Sequence, residues 1–222
     1  MVIFNDFDGP DGDVVVNLGF HLPCVILLDK SGSMNGEPIN ALNEVLIDFK
    51  DMLIKIAYED YYLIDISIIA FAGSGPKGDI PDIEILQPFA LANDINYDAK
   101  NYPIYAYGKA PLAQAVETGL REIDHILHIY EKNGNPYYKP ILMCFTNGKS
   151  TEDHDYYNYV KYSLKKSIRD HGLITYCIGI GNNCDYHRLI DFFVETHVFK
   201  FNDVNNVRAI RELVGFSTSV HS

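Results

Sequence analysis

The chain alternates continuous apolar runs with segments of helical periodicity, and this alternation limits the fold more than any other feature. Six runs are predicted as strands: 22–29, 63–71, 82–87, 140–146, 173–180 and 196–201. Five segments repeat apolar residues at helical spacing: 37–57, 111–130, 155–171, 185–194 and 204–216. Strands that alternate with such helices form a mostly parallel sheet with helices on both faces. We therefore predict an α/β, doubly wound (Rossmann-like) fold with six strands, of which the short edge strand at 82–87 is antiparallel.

Length and charge limit the number of domains in the chain and the classes of partner that it can bind. The 222 residues suffice for one domain with a sizeable core. We predict a single domain over 1–222, with its core at about 20–216 and an acidic turn or extension at 1–20. The formal net charge of −12 repels phosphate backbones, so we expect no nucleic acid as a partner. No apolar run reaches about 18 residues and the N-terminus lacks a signal-peptide pattern, which favours a cytoplasmic protein without a membrane partner.

Three of the four cysteines lie within predicted strands. Cys24, Cys144 and Cys177 have apolar neighbours, and in such surroundings a free cysteine behaves as a small buried hydrophobe. Cys184 follows the fifth predicted strand. No pair has CxxC spacing, which excludes a zinc ribbon and a thioredoxin-type motif. We therefore expect the three strand cysteines to be reduced and buried.

Polar side chains follow the first strand at the point where it ends. Asp29 closes the strand, and the hydroxyls of Ser31 and Ser33 follow at two-residue spacing across Gly32. Ligands of open α/β sheets bind outside the carboxyl ends of the strands. A carboxylate and two hydroxyls that converge there suit a hard cation such as Mg²⁺, which keeps several waters. These three side chains are therefore candidate metal ligands.

Three later segments extend this pattern. They are Gly108–Ala115 (GKAPLAQA), Thr146–Asp153 (TNGKSTED) and Ile178–Gly181 (IGIG). Together with Asp-x-Ser-x-Ser at 29–33, they resemble successive loops of the von Willebrand factor type A (VWA) domain, whose first loop carries a metal-ion-dependent adhesion site. The resemblance covers roughly residues 20–216, and it looks most like the compact bacterial branch associated with tellurium-resistance gene clusters. It implies the same doubly wound fold and a partner-binding site at the strand ends.

Two positions depart from the family pattern. Ala110 stands where the family has a threonine ligand, and Asn147 stands where it has an aspartate. The resemblance therefore implies a degenerate metal site composed of Asp29, Ser31, Ser33 and Asn147. Because cation affinity depends on the charge and number of the ligands, we expect Mg²⁺ to be weakly bound or absent.

A lysine could take the place of the metal. Lys109 lies beside Ala110, at a position where the family usually has glycine. An ammonium within hydrogen-bond reach offsets the cost of a buried Asp29 carboxylate. We hypothesise that Lys109, or with less support Lys30, donates to Asp29 as a surrogate cation. The alternative is that Lys109 points to solvent and the site holds weak Mg²⁺ or water.

Two functions fit such a site. The first is a non-enzymatic module whose adhesion-site face captures a protein partner, and in the family a carboxylate of the partner completes the coordination of the metal. The second is a metal-assisted hydrolase that works at the same rim. A hydrolase needs a general base or a second metal ligand there. Asn147 is a poor base and Ala110 is none, so we favour binding over catalysis.

The long connection at 88–110 is a second candidate for partner contact. It carries four tyrosines: Tyr97, Tyr102, Tyr105 and Tyr107. Tyrosine is frequent in interfaces, and long loops on a rigid scaffold often carry function. We predict a partner surface built from residues 30–36, a tyrosine flap at 93–109 and the loop at 147–153. The candidate contact residues are Tyr105, Tyr107 and Lys109. The open alternative is that the rings only pack the flap onto the domain.

Overall fold

The computed structural model of the chain describes residues 19–60, 63–73, 82–194 and 197–201. The strands are β1 (His21–Asp29), β2 (Leu63–Phe71), β3 (Ile83–Leu91), β4 (Ile141–Thr146), β5 (Ile174–Gly179) and β6 (Val198–Lys200). The helices are α1 (Glu37–Asp60), α2 (Leu112–Asn133), α3 (His154–His171) and α4 (Tyr186–Phe192), with short 3₁₀ turns at Gly32–Met34 and Ala92–Asp94. The helix predicted at 204–216 and most of the predicted N-terminal extension lie outside the described residues.

The six strands form one sheet in the order β3-β2-β1-β4-β5-β6. Five strands are parallel, and β3 pairs antiparallel to β2 at the edge. The predicted doubly wound α/β fold is thus confirmed. The strand order reverses between β1 and β4, and this reversal opens a crevice at their carboxyl ends. The crevice lies between the ends of the two strands that carry Asp29 and Thr146.

Successive residues of β1 face two different hydrophobic cores. Ile26 belongs to the core that includes Leu42 of α1, whereas Leu27 belongs to the core that includes Val116 of α2. All four side chains are completely buried. A parallel strand covered on both faces has to be apolar at every position, which is why residues 22–28 form an unbroken apolar run. Asp29 is the first charged residue after that run.

The edge strand is longer than predicted. We expected it at 82–87, but β3 continues to Leu91. Pro88 follows the predicted end of the strand, and proline cannot donate to a strand ladder. The pairing of β2 with β3 shifts register between Ile66 and Ile68 and again between Ile68 and Ile69. An edge strand with such irregularities tolerates proline, so the strand passes through it.

The three strand cysteines are buried and unpaired, whereas Cys184 is half-buried, as expected from their neighbours. Burial raises the pKa of Cys24 to about 12 and that of Cys184 to about 11. Among the described helices, none is both long and apolar enough to cross a membrane.

The burial of the thiols predicts their reactivity. In native buffer at pH 8, a maleimide should leave Cys24, Cys144 and Cys177 unmodified, because the thiolate is the reactive form and all three are shielded. Cys184 should react slowly, and all four should react at once in guanidinium. Mass spectrometry of labelled peptides measures the result, with Cys184→Ser as the control. Rapid native labelling of any strand cysteine would show that the sheet core is not closed.

Candidate functional site at the carboxyl edge of the sheet

Three segments meet at the carboxyl ends of β1 and β4. They are the β1 loop (residues 30–36), the β4 loop (residues 147–153) and the tyrosine flap (residues 93–109). The Gly32 N–H donates to the Gly108 carbonyl at 3.0 Å, and the Tyr107 N–H donates to the Lys30 carbonyl at 2.9 Å. These backbone bonds join the flap to the β1 loop and place the sequence-predicted residues on one surface.

Gly108 allows the flap to pack closely against the backbone of Gly73, which follows β2. The φ of Gly108 is +65°, a left-handed conformation that favours glycine. A Cβ atom at this position would lie 1.9 Å from the carbonyl oxygen of Gly73. No other residue type fits this contact without moving the backbone.

Asp29 is completely buried at the centre of the site. Its Oδ1 accepts a hydrogen bond from the Ser31 N–H at 2.8 Å, and its Oδ2 accepts one from the Thr146 hydroxyl at 2.6 Å. Burial raises the pKa of Asp29, and the hydrogen bonds from Thr146, Ser31 and the Asn147 backbone oppose that rise. The carboxylate therefore joins the end of β1 to the end of β4 through short hydrogen bonds.

Asn147 connects the β4 loop to the β1 loop. Its Nδ2 donates to the Ser33 carbonyl and to the Ser33 Oγ, both at 2.9 Å. Its Oδ1 accepts from the Ser33 hydroxyl and from the Lys149 N–H, both at 3.2 Å. The hydroxyls of Ser31 and Ser33 lie 3.0 Å apart. The structure thus brings together all four predicted ligands, Asp29, Ser31, Ser33 and Asn147.

Ala110 lies beside the same cluster and is almost completely buried. It exchanges hydrogen bonds with Thr151: the Ala110 N–H donates to the Thr151 Oγ1, and the Thr151 N–H donates to the Ala110 carbonyl, both at 3.2 Å. Its methyl group offers no side-chain oxygen where the family has a threonine. The second loop therefore contributes only backbone groups here.

Glu152 has a role that the sequence reasoning missed. Its two carboxylate oxygens accept from the Ala113 N–H at 2.6 Å and from the Gln114 N–H at 2.8 Å. These are first-turn N–H groups of α2, which need acceptors from outside the helix. Pro111 precedes α2 and supplies no side-chain acceptor, which indicates that the cap of this helix comes from another segment.

The two lysines of the surrogate hypothesis lie elsewhere. Lys30 pairs with Glu84 at 2.5 Å, and its ammonium lies 5.1 Å from the centre of the Tyr107 ring. The Lys109 side chain is exposed. Within the described part of the chain, no ion pair joins either lysine to Asp29. The structure therefore does not bring the predicted surrogate cation to the carboxylate, because Asp29 already has donors and Lys30 has its own carboxylate.

The tyrosine flap is pinned to the domain yet exposes aromatic rings. Asn43 of α1 hydrogen bonds to both the N–H and the carbonyl of Ile104 at 2.9 Å. Tyr102 and Tyr105 are each 73% exposed. Tyr107 is half-buried, and its hydroxyl is buried without a hydrogen-bond partner among the described residues. Both proposed roles thus occur in one segment: one ring packs while two face solvent.

A cavity of about 320 Å³ lies between the flap and β3, beside Lys30 of the β1 loop. Its walls include Lys30, Glu84, Leu86, Tyr102, Tyr105 and Tyr107. The ion pair and the exposed rings therefore line one concave surface beside the adhesion-site residues.

The comparison with protein families identifies the chain. The model of the von Willebrand factor type A domain matches residues 24–213. Because this match covers most of the sequence, the chain belongs to the VWA family. No curated protein sequence gives a significant match.

Solved structures share the fold at low sequence identity. Proximal thread matrix protein 1 from the mussel byssus is 16% identical with a TM-score of 0.55, over 90% of this chain and 46% of that one. The pilus adhesin SpaC from Lactobacillus rhamnosus GG is 12% identical with a TM-score of 0.63, over 88% of this chain and 30% of that one. The chain thus spans less than half the length of these proteins. Another structure of the mussel protein has zinc in its adhesion-site motif, at 14% identity, a TM-score of 0.55, and 88% and 47% coverage of the two chains.

The donors of this site do not fit the divalent cation that the family implies. Of the cluster, only Asp29 is a carboxylate, and Ala110 supplies no oxygen ligand. The Asn147 Nδ2 donates to the carbonyl and the Oγ of Ser33, and the Asn147 Oδ1 already accepts from the Ser33 hydroxyl and the Lys149 N–H. Within the described residues, no group of three or more His, Cys, Asp or Glu side chains is placed to hold a metal ion. Hard cations need several oxygen lone pairs with sufficient negative charge, and the present arrangement does not provide them.

The Thr146 hydroxyl should be essential to the ionised form of Asp29. Thr146→Val keeps the shape but removes a donor to a buried carboxylate, so we expect a loss of about 1.5 to 3 kcal/mol of unfolding free energy at pH 8. The pKa of Asp29 is raised in the fold, so the cost of ionisation is fully present above that pKa and disappears as the group is protonated on acidification. The loss should therefore become smaller as the pH is lowered from 8 towards 5.

Urea unfolding at both pH values measures these losses. Thr175→Val is the matched control, because Thr175 is also a buried strand threonine and its hydroxyl has no partner among the described residues. That variant should be neutral or slightly stabilised at both pH values. Equal losses in the two variants would rule out a special role for the Thr146–Asp29 bond.

Proposed function

We propose that this chain is a non-enzymatic protein-binding VWA module. It captures a protein partner on the surface formed by the β1 loop, the tyrosine flap and the β4 loop. The observation that carries this proposal is the flap itself: it exposes two large aromatic rings while hydrogen bonds pin its backbone to α1 and to the β1 loop. A pinned aromatic surface loses little conformational entropy when it binds.

The three candidate contact residues contribute differently. Tyr105 offers an exposed ring, and Lys109 offers an exposed ammonium on a chain whose net charge is −12. A carboxylate of the partner can pair with Lys109. The neutral amide of Asn147, which replaces the family's anionic ligand, adds no negative charge that would repel this carboxylate. Tyr107 packs beneath the Lys30 ammonium, so its contribution is to support the flap as well as to contact the partner.

Metal-assisted hydrolysis is the alternative and has weaker support. A serine nucleophile needs a neighbouring base. The Ser33 hydroxyl bonds to Asn147 and lies beside that of Ser31, and no histidine among the described residues hydrogen bonds to either serine. The comparison proteins, an adhesin and a matrix protein by name, agree with binding, although their low identity carries only the fold.

Two finer expectations belong to this proposal. One is membership of the compact bacterial branch associated with tellurium-resistance gene clusters, and the other is a cytoplasmic location. The first derives from the sequence patterns of the loops, and the second stays a prediction. Identification of the genes that flank this one tests the first, and fractionation of cells that express a tagged chain tests the second.

Substitution of the exposed ring tests partner capture. We expect Tyr105→Ala to abolish retention of the partner in an affinity pull-down, with a change in Tm of less than about 2 °C, because surface substitutions change stability little. Tyr159→Ala is the matched control: Tyr159 is 59% exposed on α3, away from the proposed surface. Quantitative mass spectrometry compares the retained proteins, and titration with the purified partner measures the affinity.

Two further variants sharpen the result. Tyr107→Ala should weaken capture and also lower Tm, because its ring packs in the flap. Lys109→Ala should weaken capture without a change in Tm. Equal retention by wild type and Tyr105→Ala, with a Tyr159→Ala protein that loses the partner, would place the binding surface on α3 and contradict the proposal.

A further inference from the structure

We infer that the side-chain amide of Asn147 takes the place of a divalent cation, so that this adhesion site is assembled without metal. In this chain the amide nitrogen draws oxygen atoms of the β1 loop towards the β4 loop, which is the structural task of a bound cation. The inference extends the proposed function. Its consequence for partner capture rests on that function, whereas the absence of metal does not.

The orientation of the amide is determined by partners that have only one role. The Ser33 carbonyl can only accept, so the atom 2.9 Å from it must be Nδ2. The Lys149 N–H can only donate, so the atom 3.2 Å from it must be Oδ1. In a flipped amide, the Oδ1 would face the Ser33 carbonyl, another acceptor, and the Nδ2 would face the Lys149 N–H, another donor. The N–H groups of Asn147 therefore point at Ser33, and this conclusion does not depend on hydroxyl positions.

The bonds of the amide join the same elements that a metal would join. One nitrogen contacts both the carbonyl and the Oγ of Ser33 at 2.9 Å. The Ser33 hydroxyl in turn lies 3.0 Å from that of Ser31, whose backbone N–H reaches Asp29. Hydrogen bonds through Ser33 and Ser31 thus link Asn147 to the buried carboxylate without an ion.

The charge balance explains why asparagine and metal exclude each other. An aspartate at position 147 would place a carboxylate oxygen against the Ser33 carbonyl, close to the buried charge of Asp29. Two carboxylates and a carbonyl at such distances repel in a poorly solvated site unless a cation lies between them. With asparagine, the same space holds N–H donors, and a cation would have to displace them.

Metal titration of the chain alone tests the inference. Wild type should show no change in Tm with 10 mM MgCl₂, 10 mM MnCl₂ or 1 mM EDTA, and no saturable heat of binding by calorimetry. Asn147→Asp should melt at a lower temperature than wild type in EDTA and regain stability with Mg²⁺. Asn147→Asp combined with Ala110→Thr should respond at lower metal. A rise in Tm of about 3 to 6 °C is expected when Mg²⁺ is tenfold above its dissociation constant.

Two controls isolate the amide. Asn182→Asp adds the same charge at an exposed position after β5, and it should remain insensitive to metal. Lys109→Ala should also leave the chain insensitive to metal and unchanged in Tm, whereas a surrogate lysine at Asp29 predicts a lower Tm that Mg²⁺ restores. Asn147→Ala covers the case in which the aspartate variant does not fold: it should lose stability in EDTA, and Mg²⁺ should not restore it.

Three results would overturn the inference. They are saturable Mg²⁺ binding by wild type that Asp29→Ala abolishes, an unchanged Tm for Asn147→Ala in EDTA, and rescue of Lys109→Ala by metal. None of these measurements involves a partner, so they separate this inference from the proposed function. If Tyr105→Ala loses the partner while EDTA leaves wild-type capture intact, both hold. Capture that EDTA abolishes would contradict the inference and leave the binding function standing.

Discussion

The buried carboxylate of Asp29 is the interaction on which the carboxyl edge of the sheet depends. It follows an unbroken apolar strand, so the fold brings a charge into a place that water cannot reach. Such a charge is tolerated only when donors surround it. The Ser31 N–H and the Thr146 hydroxyl supply them, and in doing so they set the positions of both loops. The flap then docks on the backbone of the β1 loop through Gly32 and Tyr107.

The amino end of the sheet uses the same solution with different residues. Asp65 of β2 is mostly buried and accepts from the Tyr130 hydroxyl at 2.7 Å, while the His21 Nδ1 lies 2.6 Å from the same oxygen. Burial and the neighbouring carboxylate raise the pKa of Tyr130, so the phenol remains a donor. Each edge of the apolar sheet thus carries one aspartate that links neighbouring elements. At the carboxyl edge, the flap adds a concave surface with exposed aromatic rings.

The sheet and its parallel order could be predicted because the central strands are nearly continuous apolar runs that alternate with helical segments. The antiparallel edge was placed correctly but ended too early, since the tolerance of an irregular edge for Pro88 depends on pairing that only the structure shows. Asp29, Ser31 and Ser33 were proposed from their spacing at the end of the first strand, and Asn147 from the family resemblance. The partners of Lys30 and Glu152 could not be predicted, because Glu84 and the first turn of α2 are distant in sequence and meet only after folding.

The two departures from the family pattern explain each other once the amide is in view. A cation site of high affinity uses the second-loop hydroxyl and the third-loop carboxylate together, because each supplies lone pairs to the same ion. When Asn147 donates to Ser33 instead, a hydroxyl at position 110 has no ion to coordinate, and a buried hydroxyl without a partner costs free energy. The methyl group of Ala110 avoids that cost, while its backbone still bonds to Thr151. Loss of the threonine therefore follows physically from loss of the aspartate, and the tightest metal binding should require both residues, although the aspartate alone restores a response to metal.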